Sequence, residues 1–188
     1  MSRTGSVMAL SDWERLEDPP GQRLELIFGR VKVNPAPRII HQQVVRLLTN
    51  ALADACRPEH LAVFDIEWRI RAADPSALSH APRPDVTVAP LAALREGSAL
   101  WEPPLVVVEV LSPGNRKPDI AEKRALYFEH GAGHYMEVTI TKDEREVAIT
   151  WYRRGEHDWV ENTSGRGEAV LEIDDPFDLV IRPNELLF

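Results

Sequence analysis

A single glutamate interrupts the most apolar strand-like segment of this sequence. Glu109 lies within Leu105–Leu111, a run whose other members are all leucine or valine. Such a run is typical of a strand that is buried on both faces of a sheet. Side chains alternate between the two faces, so Glu109 shares a face with Val107 and Leu111. An unpaired buried carboxylate is costly unless it takes up a proton, so this position requires a cation, a basic side chain or solvent at the strand end.

This requirement admits two interpretations. In the first, Glu109 pairs with an arginine at the exposed end of a central strand. In the second, it is a metal ligand or an acid–base group at a strand terminus, where α/β proteins commonly place their sites. The chain contains eighteen arginines, so the pattern alone leaves both interpretations open.

Composition restricts the class of protein. The 188 residues are 44% apolar and 28% charged, which excludes collagen, a coiled coil and wholesale disorder. The length, without repeats or long linkers, predicts one domain over residues 1–188. The lone cysteine, Cys56, cannot form an internal disulfide, and neither a signal peptide nor a membrane span is evident. We therefore expect a cytoplasmic protein.

The net charge of −8 argues against a protein that coats nucleic acid by bulk charge. The charge is unevenly distributed, however: it sums to 0 over residues 1–80, to −1 over 81–130 and to −7 over 131–188. The segments that contain the candidate site residues are nearly neutral. Acidity therefore does not exclude DNA as a partner, although it predicts weak non-specific binding.

Periodicity and proline breaks predict an α/β (α+β) protein with a mixed sheet flanked by helices, since the regular βαβ rhythm is missing. Two capping-box spacings, Ser11 with Glu14 and Asp119 with Glu122, predict where two helices begin. The expected elements are helices over 11–18, 40–56 and 119–130, a hairpin over 23–33, and strands over 61–70, 85–90, 105–111, 134–140 and 146–154.

Two other residues could act together with Glu109. Asp85 follows Pro84 and, taken alone, is more typical of a residue that begins a strand. Two strand-borne carboxylates can nevertheless supply the oxygen ligands that Mg²⁺ prefers. Lys123 is one of only four lysines and lies at the edge of the apolar arc of its helix, one turn from Tyr127. Such a lysine usually extends to solvent, but it can also reach over the sheet toward a strand end.

These segments together resemble a known family. The sequences RPDVTV, PLVVVEVLSPGN, D-x-x-x-K-x-x-x-Y and G-x-x-x-Y follow one another as in the bacterial Uma2 family of restriction-endonuclease-like proteins. That family belongs to the PD-(D/E)XK nuclease superfamily. The resemblance covers roughly residues 10–155 and includes LELIFGRVKV and His41. It implies a restriction-endonuclease-like core with a central mixed sheet flanked by helices, here followed by extra C-terminal strands.

The resemblance also implies roles for individual residues. Asp85 and Glu109 match the carboxylates that bind Mg²⁺ or Mn²⁺ for the hydrolysis of phosphodiester bonds in DNA. The superfamily lysine two residues after the glutamate is replaced by Leu111, and Lys123 matches the position on the following helix that takes its role in this family. Glu25 matches an acidic position of the N-terminal region and is a candidate for supporting the site.

The chain departs from the family pattern after this helix. The family commonly has G-V-P-E-Y-W-I-V-D, whereas residues 131–139 keep Tyr135 but lack the tryptophan and the closing aspartate. These positions affect packing and turns more than the metal site. His41 could assist the chemistry, but a histidine at the start of a helix is more typical of a capping or packing residue. The six histidines show no zinc-ligand spacing.

Two alternatives to a DNA endonuclease stay open. One is a catalytically inactive nuclease-like domain that binds DNA or a protein, and the other is an enzyme that acts on a smaller phosphate ester. Cutting both strands of DNA would call for two active sites, which would favour a homodimer. A narrow closed pocket would favour the small ester, whereas DNA would be favoured by a basic groove that leads to the carboxylates and is formed by Arg69, Arg71, Arg83, Arg116 and Lys117.

Overall fold

The computed structural model describes residues 7–71, 78–94 and 98–188, which form twelve strands, four α-helices and a short 3₁₀-helix. In chain order the elements are α1 (Leu10–Trp13), β1 (Gln22–Ile27), β2 (Arg30–Pro35), α2 (Ile39–Ala55), β3 (His60–Phe64), β4 (Glu67–Trp68), β5 (Val86–Pro90), α3 (Leu91–Leu94), β6 (Ala99–Leu100), β7 (Val106–Leu111), α4 (Lys117–Glu129), β8 (His134–Ile140), β9 (Val147–Arg154), β10 (Trp159–Arg166), β11 (Leu171–Ile173), β12 (Leu179–Ile181) and the 3₁₀-helix (Pro183–Leu187).

A six-stranded mixed sheet forms the centre of the fold, in the order β10–β9–β8–β7–β5–β3. Strand β7 is antiparallel to β5 but parallel to β8. A parallel neighbour requires a crossover connection, and α4 supplies it between β7 and β8. Both the α+β class and the central mixed sheet flanked by helices, which the sequence predicts, are therefore confirmed.

Helices cover the two faces of this sheet. Successive side chains of β7 point to opposite faces and so belong to two different apolar clusters. Val106, Val108 and Val110 belong to the apolar cluster that contains Val44, Leu48 and Leu52 of α2. Val107 belongs to a second cluster, with Leu126 and Tyr127 of α4 and Trp68 of β4. Glu109 follows Val107 by two residues and so faces the α4 layer.

The N-terminal hairpin is bound to the segment that precedes β5. Strands β1 and β2 pair antiparallel around Phe28 and Gly29, which both have positive φ angles of 48° and 66°. Two consecutive left-handed residues are the geometry of a tight type I′ connection. Leu26 then exchanges backbone hydrogen bonds with Ala81, at 3.1 and 2.7 Å. This bridge holds β1 against the chain just before Asp85.

Several predicted boundaries differ from those of the structure. The first helix is only one turn, and the strand predicted over 61–70 divides into β3 and β4. Asp65 causes the division because its φ of 57° is left-handed and cannot continue a strand. The Asp65 carboxylate is held in this turn by Arg23, at 3.1 Å, and by Arg83, at 3.4 Å.

Both predicted capping boxes are wrong. Helix α1 is preceded by Ala9, and α4 is preceded by Arg116; neither residue makes a side-chain capping bond. Helix α4 begins before Asp119 because Pro118 fits the first helical turn. Asp119 instead accepts a hydrogen bond from Lys32 of β2 at 3.2 Å, and Glu122 pairs with the same ammonium group.

None of the helices in the described part of the chain is both long and apolar enough to span a membrane.

His80 is a buried histidine beside the hairpin connection. Its side chain is 3% exposed, and its Nδ1 accepts a hydrogen bond from the backbone N–H of Phe28 at 3.1 Å. The His130 ring lies 4.9 Å from the His80 ring, centroid to centroid. Burial, reinforced by the charge of His130, lowers the pKa of His80 to about 4. A neutral His80 is required for Nδ1 to act as an acceptor.

We expect His80 to make stability sensitive to acid. Below pH 6.5 the unfolded chain takes up a proton at this residue, whereas the folded protein does not until pH falls to about 4. Stability is therefore lost as pH falls. Since one pKa unit corresponds to about 1.4 kcal/mol, the free energy of unfolding should drop by about 2 kcal/mol between pH 7 and pH 5 through His80 alone. Urea denaturation at both pH values measures the difference.

The matched variants are His80→Gln and His157→Gln, the second of which changes an exposed histidine. The loss between pH 7 and pH 5 should shrink by about 2 kcal/mol in His80→Gln and stay as in the parent in His157→Gln. An undiminished loss in His80→Gln would contradict the assignment.

Candidate active site

Lys123 lies at the centre of a cluster of acidic side chains. Its Nζ is 2.7 Å from Oε1 of Glu109 and 2.9 Å from Oε1 of Glu25. The lysine projects from α4, Glu109 from β7 and Glu25 from β1. The structure thus brings together three predicted site residues that are far apart in the sequence, and the partner of Glu109 is this lysine rather than an arginine.

Glu109 is held by two donors. Its Oε1 accepts hydrogen bonds from Lys123 and from the hydroxyl of Tyr127, the latter at 2.5 Å. Burial above all raises the pKa of Glu109 to about 7; Lys123 acts against this rise, whereas Asp85 and Glu25 add to it. The carboxylate therefore lies in a region with an excess of negative charge.

Asp85 connects the start of β5 to β7. Its Oδ2 accepts a hydrogen bond from the backbone N–H of Val110 at 2.7 Å, directly after Glu109 in the chain. The same oxygen lies 3.3 Å from Nε2 of His41, in the first turn of α2. Burial alone would lower the pKa of His41, but the hydrogen bond and charge of Asp85 outweigh it and raise this pKa.

Glu25 is fixed by the hairpin and by its contact with the next segment. It is 4% exposed, and its Oε1 accepts a hydrogen bond from the backbone N–H of Arg83 at 2.8 Å. Its Oε2 accepts one from Nδ2 of Asn34 at 2.6 Å. The Leu26–Ala81 bridge aligns the two segments for these bonds. Glu25 is therefore a supporting group with both oxygens occupied.

The charges of the cluster do not balance. Three carboxylates surround one lysine, and burial, which would lower the pKa of Lys123, is outweighed by Glu109 and Glu25, which raise it. Lys123 therefore carries its positive charge. With all three carboxylates ionised, the formal charges of Glu25, Asp85, Glu109 and Lys123 sum to −2, which a divalent cation would neutralise.

Asp85 and Glu109 each keep one oxygen available. Within the described ranges, no residue donates a hydrogen bond to Oδ1 of Asp85 or to Oε2 of Glu109. Neither oxygen belongs to the buried polar atoms that lack a partner. Histidine, cysteine and acidic side chains in the described part of the chain do not form a metal-binding group of three or more. A cation bound here would therefore have two carboxylate ligands and complete its shell with other oxygens, as Mg²⁺ commonly does.

Most of the basic residues expected to line a groove are paired with acids. Arg83 binds Asp18 at 2.5 Å, and Arg69 binds Glu14 at 3.0 Å. A cleft of about 200 Å³ lies beside these pairs, but neither Asp85 nor Glu109 lines it. The cleft is lined by Trp13, Glu14, Leu16, Asp18, Leu24, Asp65, Glu67, Arg69, Arg83 and Ser98.

Three residues of the site were not predicted to support it. Tyr127 belongs to the D-x-x-x-K-x-x-x-Y pattern, but its helical spacing indicates only a packing role. For His41 the sequence favours capping or packing over a part in the chemistry, and its side chain contacts Asp85. The sequence around Asn34 contains no pattern that predicts its contact with Glu25. It lies opposite Arg23 in the hairpin and so occupies the diagonal neighbour position of Glu25.

Comparisons with known proteins identify the family and the fold. The model of the family described as "Uma2: Putative restriction endonuclease" matches residues 10–183. The crystal structure of a "putative nuclease belonging to DUF820" from Anabaena variabilis is similar, with a TM-score of 0.63 and 17% identity. The similarity covers 88% of this chain and 89% of that chain, and at this identity it shows the fold. No curated protein matches the sequence.

Removal of the Lys123 charge is expected to destabilise the fold. Lys123→Met would leave buried carboxylates without their cation, which typically costs about 3–5 kcal/mol in the free energy of unfolding. Urea denaturation at neutral pH measures this loss. The matched control is Lys142→Met at an exposed lysine, where the change should stay within about 0.5 kcal/mol.

The double variant Lys123→Met/Glu109→Gln tests whether charge is the cause. Replacing the carboxylate with a neutral amide should recover part of the stability that Lys123→Met loses, so the two effects should not add. Equal losses in Lys123→Met and Lys142→Met would contradict the ion-pair interpretation.

Proposed function

Because the chain belongs to the family described as "Uma2: Putative restriction endonuclease", we propose that it is an endonuclease that hydrolyses phosphodiester bonds in DNA. In this proposal Asp85 and Glu109 hold Mg²⁺ or Mn²⁺. The proposal is carried by one observation: Lys123 and two carboxylates with available oxygens converge at the ends of adjacent strands. Lys123 reaches the carboxylates from helix α4, whereas Leu111 occupies the strand position two residues after Glu109.

The donor set suits a hard divalent cation. Asp85 and Glu109 offer only oxygen ligands, and neither cysteine nor a histidine cluster accompanies them among the residues that the structure describes. Bonds from Val110, His41, Lys123 and Tyr127 occupy one oxygen of each carboxylate and so orient the other. Such fixed orientation of ligands by neighbouring groups strengthens metal sites.

When bound, a divalent cation would lower the pKa of a coordinated water and stabilise negative charge on the attacked phosphate. Within the described part of the chain, Glu109 and Glu25 accept from two of the three N–H groups of the Lys123 ammonium, which leaves the third for a further acceptor. In our proposal this third N–H orients the attacking water or neutralises charge that develops on the phosphorus oxygens. Glu25 holds the ammonium in place and does not contact substrate.

An inactive nuclease-like module is the main alternative, with DNA or a protein as its partner. The missing strand lysine favours it, but the ion pairs of Lys123 favour catalysis because they place an ammonium group beside Glu109. Metal-dependent cleavage of plasmid DNA distinguishes the two functions. A module that only binds would leave the plasmid intact in Mg²⁺ and Mn²⁺ at every protein concentration.

We expect Glu109→Gln to abolish metal binding without unfolding the protein. The amide has nearly the shape of the carboxylate but no charge, so Mn²⁺ affinity should fall more than about tenfold, equivalent to about 1.4 kcal/mol. Titration calorimetry with Mn²⁺ measures the affinity. Cleavage of supercoiled plasmid in Mg²⁺ should be lost in parallel.

The matched control is Glu137→Gln on β8. Glu137 lies beside Glu109 in the parallel register but does not pair with Lys123. This variant should bind Mn²⁺ and cleave as the parent does. Unchanged Mg²⁺-dependent cleavage by Glu109→Gln would refute the proposed metal site.

A further inference from the structure

Trp101 is the one strongly exposed tryptophan in the described part of the chain. It directly follows β6, and 39% of its surface is accessible to solvent. The other four tryptophans, Trp13, Trp68, Trp151 and Trp159, are at most 6% exposed. An exposed indole is a large flat apolar surface, and such surfaces frequently bind a ligand.

Two arginines surround this indole. The guanidinium carbon of Arg71 lies 4.2 Å from the ring centroid, and that of Arg69 lies 5.6 Å from it. These three side chains line an open cavity of about 300 Å³. We call Arg69, Arg71 and Trp101 together the Trp101 shelf. Its composition, a planar indole with guanidinium groups, matches a ligand that has a flat ring and a negative charge.

The shelf is joined to the candidate active site by direct contacts. Strand β4 pairs with β6 at Trp68 and Leu100, and the N–H of Arg69 donates to the carbonyl of Leu100 at 2.7 Å. The Trp68 ring stacks on Tyr127 at 6.1 Å between centroids. Tyr127 in turn donates its hydroxyl hydrogen to Glu109. The shelf and the carboxylates therefore belong to one layer of the fold, on the α4 side of the sheet.

The charge of the shelf is small. Arg69 is paired with Glu14 and Glu67, so Arg71 is its principal source of positive charge. Binding of duplex DNA through its backbone requires several cations in a row, because affinity depends on the number of phosphates neutralised. One flat ring with one cation instead fits a single nucleotide. In a duplex the base faces are stacked and inaccessible, so only an unpaired base could bind here.

We propose that the Trp101 shelf stacks an unpaired base of a DNA strand that enters the active site, with Arg71 beside its phosphate. This proposal rests on the endonuclease function proposed above, because the active site supplies the reason for DNA to lie here. It assigns single-stranded DNA, or duplex DNA with an unpaired nucleotide, as the substrate class.

Intrinsic tryptophan fluorescence can test this binding, because Trp101 dominates the solvent-accessible signal. We would titrate the whole protein with a twelve-nucleotide dT strand in the presence of EDTA, so that no metal-dependent cleavage occurs. Quenching that saturates, and that is absent in Trp101→Ala, is expected. Stacking of one base is worth about 1–3 kcal/mol, so Trp101→Ala should weaken binding, measured by fluorescence anisotropy of a labelled strand, by about 5- to 150-fold.

Two control variants match these changes. Phe64→Ala removes an aromatic side chain that is 63% exposed on the edge strand β3, and it should leave the affinity unchanged. Arg71→Ala should weaken binding and reduce its salt dependence by about 0.7 in the slope of log K against log salt, since one phosphate contact is lost. Arg153→Ala, at an exposed arginine of β9, should change neither quantity.

The proposal is overturned if Trp101→Ala binds the dT strand as the parent does, or if a strand of the same length without bases binds equally well. Tighter binding of the matching RNA strand or of an acidic peptide would overturn the assignment to DNA, as would a parent protein that binds no dT strand. The cleavage assay tests the endonuclease function separately, whatever the outcome of these binding measurements. Conversely, quenching by the dT strand without any metal-dependent cleavage would refute that function while supporting the shelf.

Discussion

The ammonium group of Lys123 holds the candidate site together. It joins helix α4 to Glu109 on the central strand β7 and to Glu25 on the N-terminal hairpin. A carboxylate as deeply buried as Glu109 is tolerated in an all-aliphatic strand only because this cation and the Tyr127 hydroxyl compensate it. The single positive charge of Lys123 therefore fixes how the helix, the hairpin and the strand lie relative to one another.

Burial of charge in this cluster does not by itself stabilise the fold, because buried ion pairs rarely repay their full desolvation cost. Apolar packing around the cluster provides the free energy that offsets this desolvation cost. Valines of β7 pack against α2 on one face, while Tyr127, Tyr135 and Trp68 pack around the site on the other face. The consequence is a rigid set of carboxylates, in which Asp85 and Glu109 are each anchored through one oxygen and Glu25 through both. In this setting the pKa of Glu109 is raised to about 7.

The sequence predicts the parts of this arrangement that have a strong local pattern. Glu109 is recognisable because it interrupts an aliphatic run, whereas Asp85 and Lys123 also fit ordinary structural roles and gain their site roles from the resemblance to a nuclease family. The structure brings these residues and Glu25 together. Contacts between distant segments leave no such pattern: His41 meets Asp85, and Asn34 meets Glu25, only after the helix and hairpin have packed. The capping boxes failed because Pro118 and tertiary partners, such as Lys32, decide where the helix begins and what its acids bind.

Placing the lysine on α4 rather than on the strand has a consequence for the newly made chain. Glu25, Asp85, Glu109 and Lys123 lie up to 98 positions apart in the sequence, on β1, directly before β5, on β7 and on α4 respectively. Contacts over such separations form late, because closing long loops must precede them. During translation, the cluster therefore cannot assemble before every residue from Glu25 to Lys123 has left the ribosome. Whatever chemistry the cluster supports is thereby withheld from any nascent chain in which helix α4 has not yet packed onto the sheet.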